Sequence, residues 1–123
     1  MGTGIDLAEV SRIQASFERF GERFRDRIYT PREIAYVERK ANRFERYAAR
    51  FAAKEAGMKA LGTGWRLGVR WHDFEVVNLP SGRPTLLLHG AAAQHAEKAG
   101  VRAIQLSLTH TSEFGQAFVI FEG

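Results

Sequence analysis

Three side chains in this sequence have the types and spacing for phosphate and metal chemistry: Asp6, Glu55 and Lys59. Mg2+ takes one or two protein carboxylates and leaves waters and substrate phosphates to complete its octahedron. A lysine beside such a pair places a positive charge where a phosphoryl group gathers a negative one. Glu55 and Lys59 stand one helical turn apart in the stretch RFAAKEAGMKALGTG, residues 50–64. Stepping about 100° per residue from Phe51 puts Phe44, Tyr47 and Met58 within about 40° of it, an apolar stripe. Glu55 falls at about 40° on the opposite margin of that stripe. A carboxylate half-turned into a core needs a cation or a proton, because an unpaired buried charge is costly. The plain reading is an i,i+4 pair with Lys59, and for Asp6 a cap on the first helix.

The elements that must position these residues follow from periodicity. Gly2 to Leu7 reads as a strand that delivers Asp6. Val10, Ile13, Phe17 and Phe20 recur at three-to-four spacing and predict an amphipathic helix over residues 8–20. Thr30-Pro-Arg-Glu33 is a helix start, with a threonine cap, proline at the first position and a glutamate to close a capping box. A long helix is expected over residues 43–61, ended by Gly62 and Gly64. The second half is strand-like. Trp71 to Leu79 is followed by the turn Pro80-Ser-Gly-Arg-Pro84, and then by a short strand over residues 85–88. A small Ala-rich helix is expected over residues 90–98. Residues 104–110 alternate, with Ile104, Leu106, Leu108 and His110 on one face. A last strand over residues 116–121 is its hairpin partner. The sum is a single α+β domain over residues 1–123, with N-terminal helices packed on a mostly antiparallel sheet.

Composition narrows the function. There is no cysteine, so neither disulfides nor thiolate metal sites arise. No apolar run is long enough to span a bilayer, and the N-terminus has no basic leader, so a cytoplasmic protein without a membrane partner is expected. No two histidines share metal-ligand spacing on one helix, which argues against zinc. Ser107 lacks a nucleophile elbow, which argues against a serine hydrolase. The net charge of +4 sits wholly in residues 1–60, which hold 13 Lys/Arg against 9 Asp/Glu. An anionic partner is implied. Nucleic acid would explain the arginines, but it leaves Asp6 and the Glu55/Lys59 pair without a role. Gly62-Thr-Gly64 can offer amides to phosphate oxygens, although the C-terminal end of a helix disfavours anions and the same residues already serve as a stop. His110, at a strand end on the apolar face, also suits a satisfied core residue.

Together these residues resemble a family. Gly4-Ile5-Asp6 in GIDLAEVSRI, and Phe51-Ala-Ala-Lys-Glu-Ala-Gly-Met-Lys59 some 45 residues on, are similar to the two signature motifs of the 4′-phosphopantetheinyl transferases. The short bacterial type is the nearer match. Thr30-Pro-Arg-Glu33, Ser81-Gly-Arg-Pro84 and Leu106-Ser-Leu-Thr-His110 support it, and the likeness runs along essentially the whole chain. The resemblance implies transfer of the phosphopantetheine arm of coenzyme A to a serine of an apo acyl carrier protein. It implies Asp6 and Glu55 as Mg2+ ligands and Lys59 as a catalytic and phosphate contact. It implies Arg50, Lys54, Gly62, Thr63, Gly64, Arg83, Pro84 and His110 as the coenzyme A site. The general base stays open among Asp6, Glu55 and a metal-bound water. The acidic carrier would dock on Arg12, Arg19, Arg23 and Arg27. A homotrimer with active sites shared between neighbours is expected from the same resemblance.

Overall fold

The computed structural model describes residues 1–123. It has five strands and five α-helices. In chain order these are β1 (Gly2–Glu9), α1 (Val10–Phe20), α2 (Glu22–Ile28), α3 (Pro31–Glu38), α4 (Arg43–Leu61), β2 (Phe74–Asn78), β3 (Pro84–Leu88), α5 (Gly90–Lys98), β4 (Ala103–His110) and β5 (Phe114–Glu122). The class is α+β, as expected. The strands form two antiparallel units rather than one: a three-stranded sheet in the order β1-β5-β4, and the β2-β3 ribbon. No helix is long and apolar enough to cross a membrane.

The helix starts follow the sequence closely. The Thr30 hydroxyl accepts from the Glu33 amide while the Glu33 side chain accepts from the Thr30 amide, so the capping box is complete. Helix α4 ends at Gly62, whose φ of 82° is left-handed, a conformation glycine adopts without strain. Two boundaries differ from expectation. Strand β1 continues through Asp6 and Glu9, so Asp6 lies within a strand and does not cap α1. Trp71–Asp73 is a turn of 3-10 helix rather than strand, because the Asp73 carboxylate accepts from the Arg70 amide and curls the chain.

Helix α4 is the centre of the molecule. It is buried on several sides, with Tyr47, Ala48, Ala52, Ala53, Ala56 and Met58 all interior. Its small residues let the sheet approach at backbone distance. A Cβ placed on Gly4 would stand 1.9 Å from the Ala56 carbonyl oxygen, and one on Gly115 would stand 2.3 Å from the Ala49 amide. Only glycine permits that contact. On the far side an aromatic cluster joins α1, α2 and α4, with Phe17 4.7 Å and Tyr29 4.6 Å from the Tyr47 ring. Such pairs add about 0.5–1.5 kcal/mol each beyond their buried area.

Candidate functional site

Asp6 and Glu55 meet. Strand β1 crosses α4 where Gly4 touches Ala56, so the strand residue Asp6 and the helix residue Glu55 face one another. Their carboxyl groups are close enough for the charge of one to act on the other. The Glu55 carboxyl is pushed up to about 7, first by burial and then by the charge of Asp6, with Lys59 opposing. Lys59 pairs with Asp6, at 3.6 Å, and donates to the Ile5 carbonyl at 3.3 Å. The expected i,i+4 salt bridge between Glu55 and Lys59 is therefore replaced by a contact across to β1. Asp6 also accepts from the Leu7 amide at 2.9 Å. Two adjacent carboxylates that share one exposed ammonium are short of positive charge. Oxygen donors of this kind suit Mg2+, which needs no more than two from the protein. No cluster of three metal-ligating side chains is formed, so a metal held by this pair would take its remaining ligands from phosphates and water.

A pocket runs from Glu55 along α1. It is lined by Arg12, Ile13, Ser16, Phe24, Phe51 and Glu55, among others. Arg12, Arg19, Arg23 and Arg27 are all exposed, and none of them makes an ion pair, whereas Arg25 is tied to Glu22 and Asp26. Arg23 and Arg27 flank Phe20 and Phe24 in a shallow depression, so apolar surface is ringed by unpaired cations.

A second cleft lies on another side of α4. Arg50, Pro84 and His110 come together there, joined by Tyr36, Arg46 and Asn78, which sequence reasoning did not single out. Arg50 is buried, stacks on the Tyr36 ring at 4.5 Å and donates to the Asn78 side chain at 3.3 Å. Its Nε is buried without a partner, and burial lowers its pKa from the ordinary value. An interior guanidinium with donors to spare is built to receive an acceptor. Arg83 stays at the surface, donating to Gln105 at 3.2 Å.

Two groups of expected ligand contacts already have partners within the chain. Lys54 is fully buried and its ammonium is saturated. It meets Glu33 at 2.7 Å, the Phe74 carbonyl at 2.8 Å and the Trp71 carbonyl at 3.2 Å. Three donors have three acceptors, so within this chain Lys54 anchors α4 to its neighbours. The helix stop has likewise used most of its donors. The Gly62 amide bonds to the Met58 and Lys59 carbonyls, the Thr63 amide bonds to the Met58 carbonyl, and the buried Thr63 hydroxyl bonds to the Gly64 carbonyl. Of the three amides only that of Gly64 makes no hydrogen bond.

Comparison with known proteins agrees with this architecture. The sequence model of the 4′-phosphopantetheinyl transferase superfamily matches residues 2–114. A holo-[acyl-carrier-protein] synthase of Solibacter usitatus (strain Ellin6076) is 73% identical over 122 residues, covering 99% of this chain and 98% of that protein. One from Koribacter versatilis (strain Ellin345) is 60% identical over the same shares. The crystal structure of a holo-[acyl-carrier-protein] synthase from Neisseria meningitidis superposes with a TM-score of 0.90 at 32% identity, covering 99% of this chain and 98% of that one. One from Helicobacter pylori, in complex with coenzyme A, gives 0.85 at 26% identity over 98% and 99%. The chain belongs to the 4′-phosphopantetheinyl transferase superfamily, and within it to the holo-[acyl-carrier-protein] synthases. It is an enzyme of that group.

Proposed function

We propose that this enzyme moves the 4′-phosphopantetheine arm of coenzyme A onto a serine hydroxyl of an apo acyl carrier protein, releasing 3′,5′-ADP. The observation that carries the reading is the meeting of Asp6, Glu55 and Lys59. The serine hydroxyl gives its proton to Asp6, Glu55 or a water, its oxygen bonds to the β-phosphorus, and the bridging bond to the α-phosphate breaks. Charge gathers on the departing α-phosphate, where the exposed Lys59 ammonium can turn to meet it. Asp6 and Glu55 would hold Mg2+, whose bound charge offsets that of the pyrophosphate. The solved relative from Helicobacter pylori that carries coenzyme A supports coenzyme A as the donor.

The two clefts support a shared site. Arg50 and Glu55 are five residues apart, which turns them about 140° from each other around α4. The cleft at Arg50 encloses about 210 Å³, below the roughly 300–1,000 Å³ of ordinary ligand pockets. We propose that the acids of one copy face the Arg50, Pro84 and His110 cleft of its neighbour. The surface that would bring them together is the outer face of the three-stranded sheet. Ile5, Leu7 and Phe118 are exposed there, with Ile5 and Phe118 directly paired across β1 and β5. An apolar sheet face left bare suits an interface in a trimer. The carrier would dock on the unpaired arginines of α1 and α2.

The test is intact-protein mass spectrometry of an apo acyl carrier protein mixed with coenzyme A, Mg2+ and the enzyme, with and without chelator. The expected result is a gain of one phosphopantetheine mass that disappears with chelator or with Glu55→Ala. A folded enzyme that modifies none of several carriers would overturn the reading.

A further inference from the structure

Glu45 belongs to neither signature motif, yet it touches a residue of the second cleft. It lies in the first turn of α4, and its Oε1 is 2.9 Å from Nδ1 of His110, the last residue of β4. Both side chains are partly buried. A carboxylate can only accept, so the contact places a proton on Nδ1 and leaves Nε2 for the cleft. That cleft contains Arg46 and Arg50 but no acid. Glu45, standing behind the ring, is the carboxylate that His110 contacts.

We propose that Glu45 is a positioning residue for His110, holding the ring so that Nε2–H meets a phosphate oxygen of the nucleotide in this cleft. The inference rests on the coenzyme A reading above. A neutral ring, with its one proton on Nδ1, would present a lone pair at Nε2 to the phosphate and repel it. A ring bonded at Nδ1 and carrying a second proton presents a donor instead. It then lies between two acceptors, and the charge of Glu45 offsets the repulsion from Arg46 and Arg50. The position suits the task, since an acid in the first turn of a helix is favoured by the helix dipole. Its removal gives up that contribution alone and should cost the fold little.

The test is steady-state kinetics of Glu45→Gln, His110→Ala and the double variant, with calorimetric binding of 3′,5′-ADP. Glu45→Gln is expected to raise the KM for coenzyme A about tenfold, the effect of losing one charge-assisted hydrogen bond. It should leave the KM for the carrier within about twofold. In the His110→Ala background the same substitution should do nothing more, since Glu45 acts through the ring. An equal loss in both backgrounds, or an unchanged KM for coenzyme A, overturns the proposal. Should Glu45→Gln fail to fold, nitrogen spectra of the unmodified protein decide. Added 3′,5′-ADP must shift Nε2 of His110 while the proton stays on Nδ1, and a shift confined to Nδ1 refutes the assignment. A wild type that binds no 3′,5′-ADP removes the nucleotide reading and this inference with it. Binding that Glu45→Gln leaves untouched removes this inference alone.

Discussion

Replacing Lys54 by methionine separates a structural lysine from a ligand-binding one. The ammonium and the Glu33 carboxylate are both fully buried and 2.7 Å apart. Burial lowers the lysine pKa, with Glu33 opposing, so solvation lost on folding is the larger influence on this charge. Removing the ammonium strands a carboxylate still held by the Thr30 and Val76 amides, together with the Trp71 and Phe74 carbonyls. Breaking such a pair from one side costs about 3–5 kcal/mol. With a urea slope of about 2 kcal/mol/M, a loss of about 3 kcal/mol moves the unfolding midpoint down by about 1.5 M. Lys54→Met paired with Glu33→Gln should recover part of that, because the second substitution removes the stranded charge. The assay is urea denaturation at one fixed protomer concentration, since an oligomer's stability depends on it. Coenzyme A binding is measured below the transition. Lys54→Met should bind coenzyme A nearly normally while it is folded. A variant with an unchanged midpoint and lost binding would refute the reasoning and return Lys54 to the ligand.

Four further outcomes are expected. The Glu55 pKa of about 7 lies above the value of 4.5 for an exposed glutamate, so the folded state binds more protons between those two pH values. The metal-free protein should lose thermal stability as pH rises through that window. Mg2+ should restore it most at the alkaline end, and Glu55→Gln should flatten both dependences in a melting series. Gly4→Ala should destabilise by about 3 kcal/mol or fail to fold, because the new methyl meets the fixed Ala56 carbonyl; thermal denaturation reads it. Phe118→Asp with Ile5→Lys should yield monomers in sedimentation and lose transfer activity together with assembly. Arg23→Glu should raise the KM for the carrier about tenfold and spare that for coenzyme A; equal changes in both would remove Arg23 from the docking face.

What was legible in the sequence was whatever local spacing encodes. The Thr30 box and the Gly62 stop were readable because each is complete within a few residues. Helix α4 was readable from its 3.6-residue period. Residue type makes Asp6 a candidate partner for Glu55, but motif resemblance is what singles it out, since 49 positions separate them. The burial of Lys54 has no local signature, because a lysine reads as exposed until its counter-ion is known, and Glu33 lies on another helix. The Glu45–His110 contact spans 65 residues and has no local signature. Trp71–Asp73 reads as strand by composition, but a hydrogen bond that the Asp73 carboxylate accepts from the Arg70 amide overrides that preference.

The close crossing of β1 over α4 has a consequence for how the site tolerates change. Between Gly4 and Ala56 there is no side chain to compress, swing or repack. Two residues beyond Gly4 stands Asp6, and one residue before Ala56 stands Glu55. The gap between the two acids is therefore gauged by main-chain atoms pressed together, as in a fixed jig. Altering the apolar filling elsewhere, at Val37 or Val76 for example, would loosen the molecule as a whole and leave the jaws of that jig at the same setting.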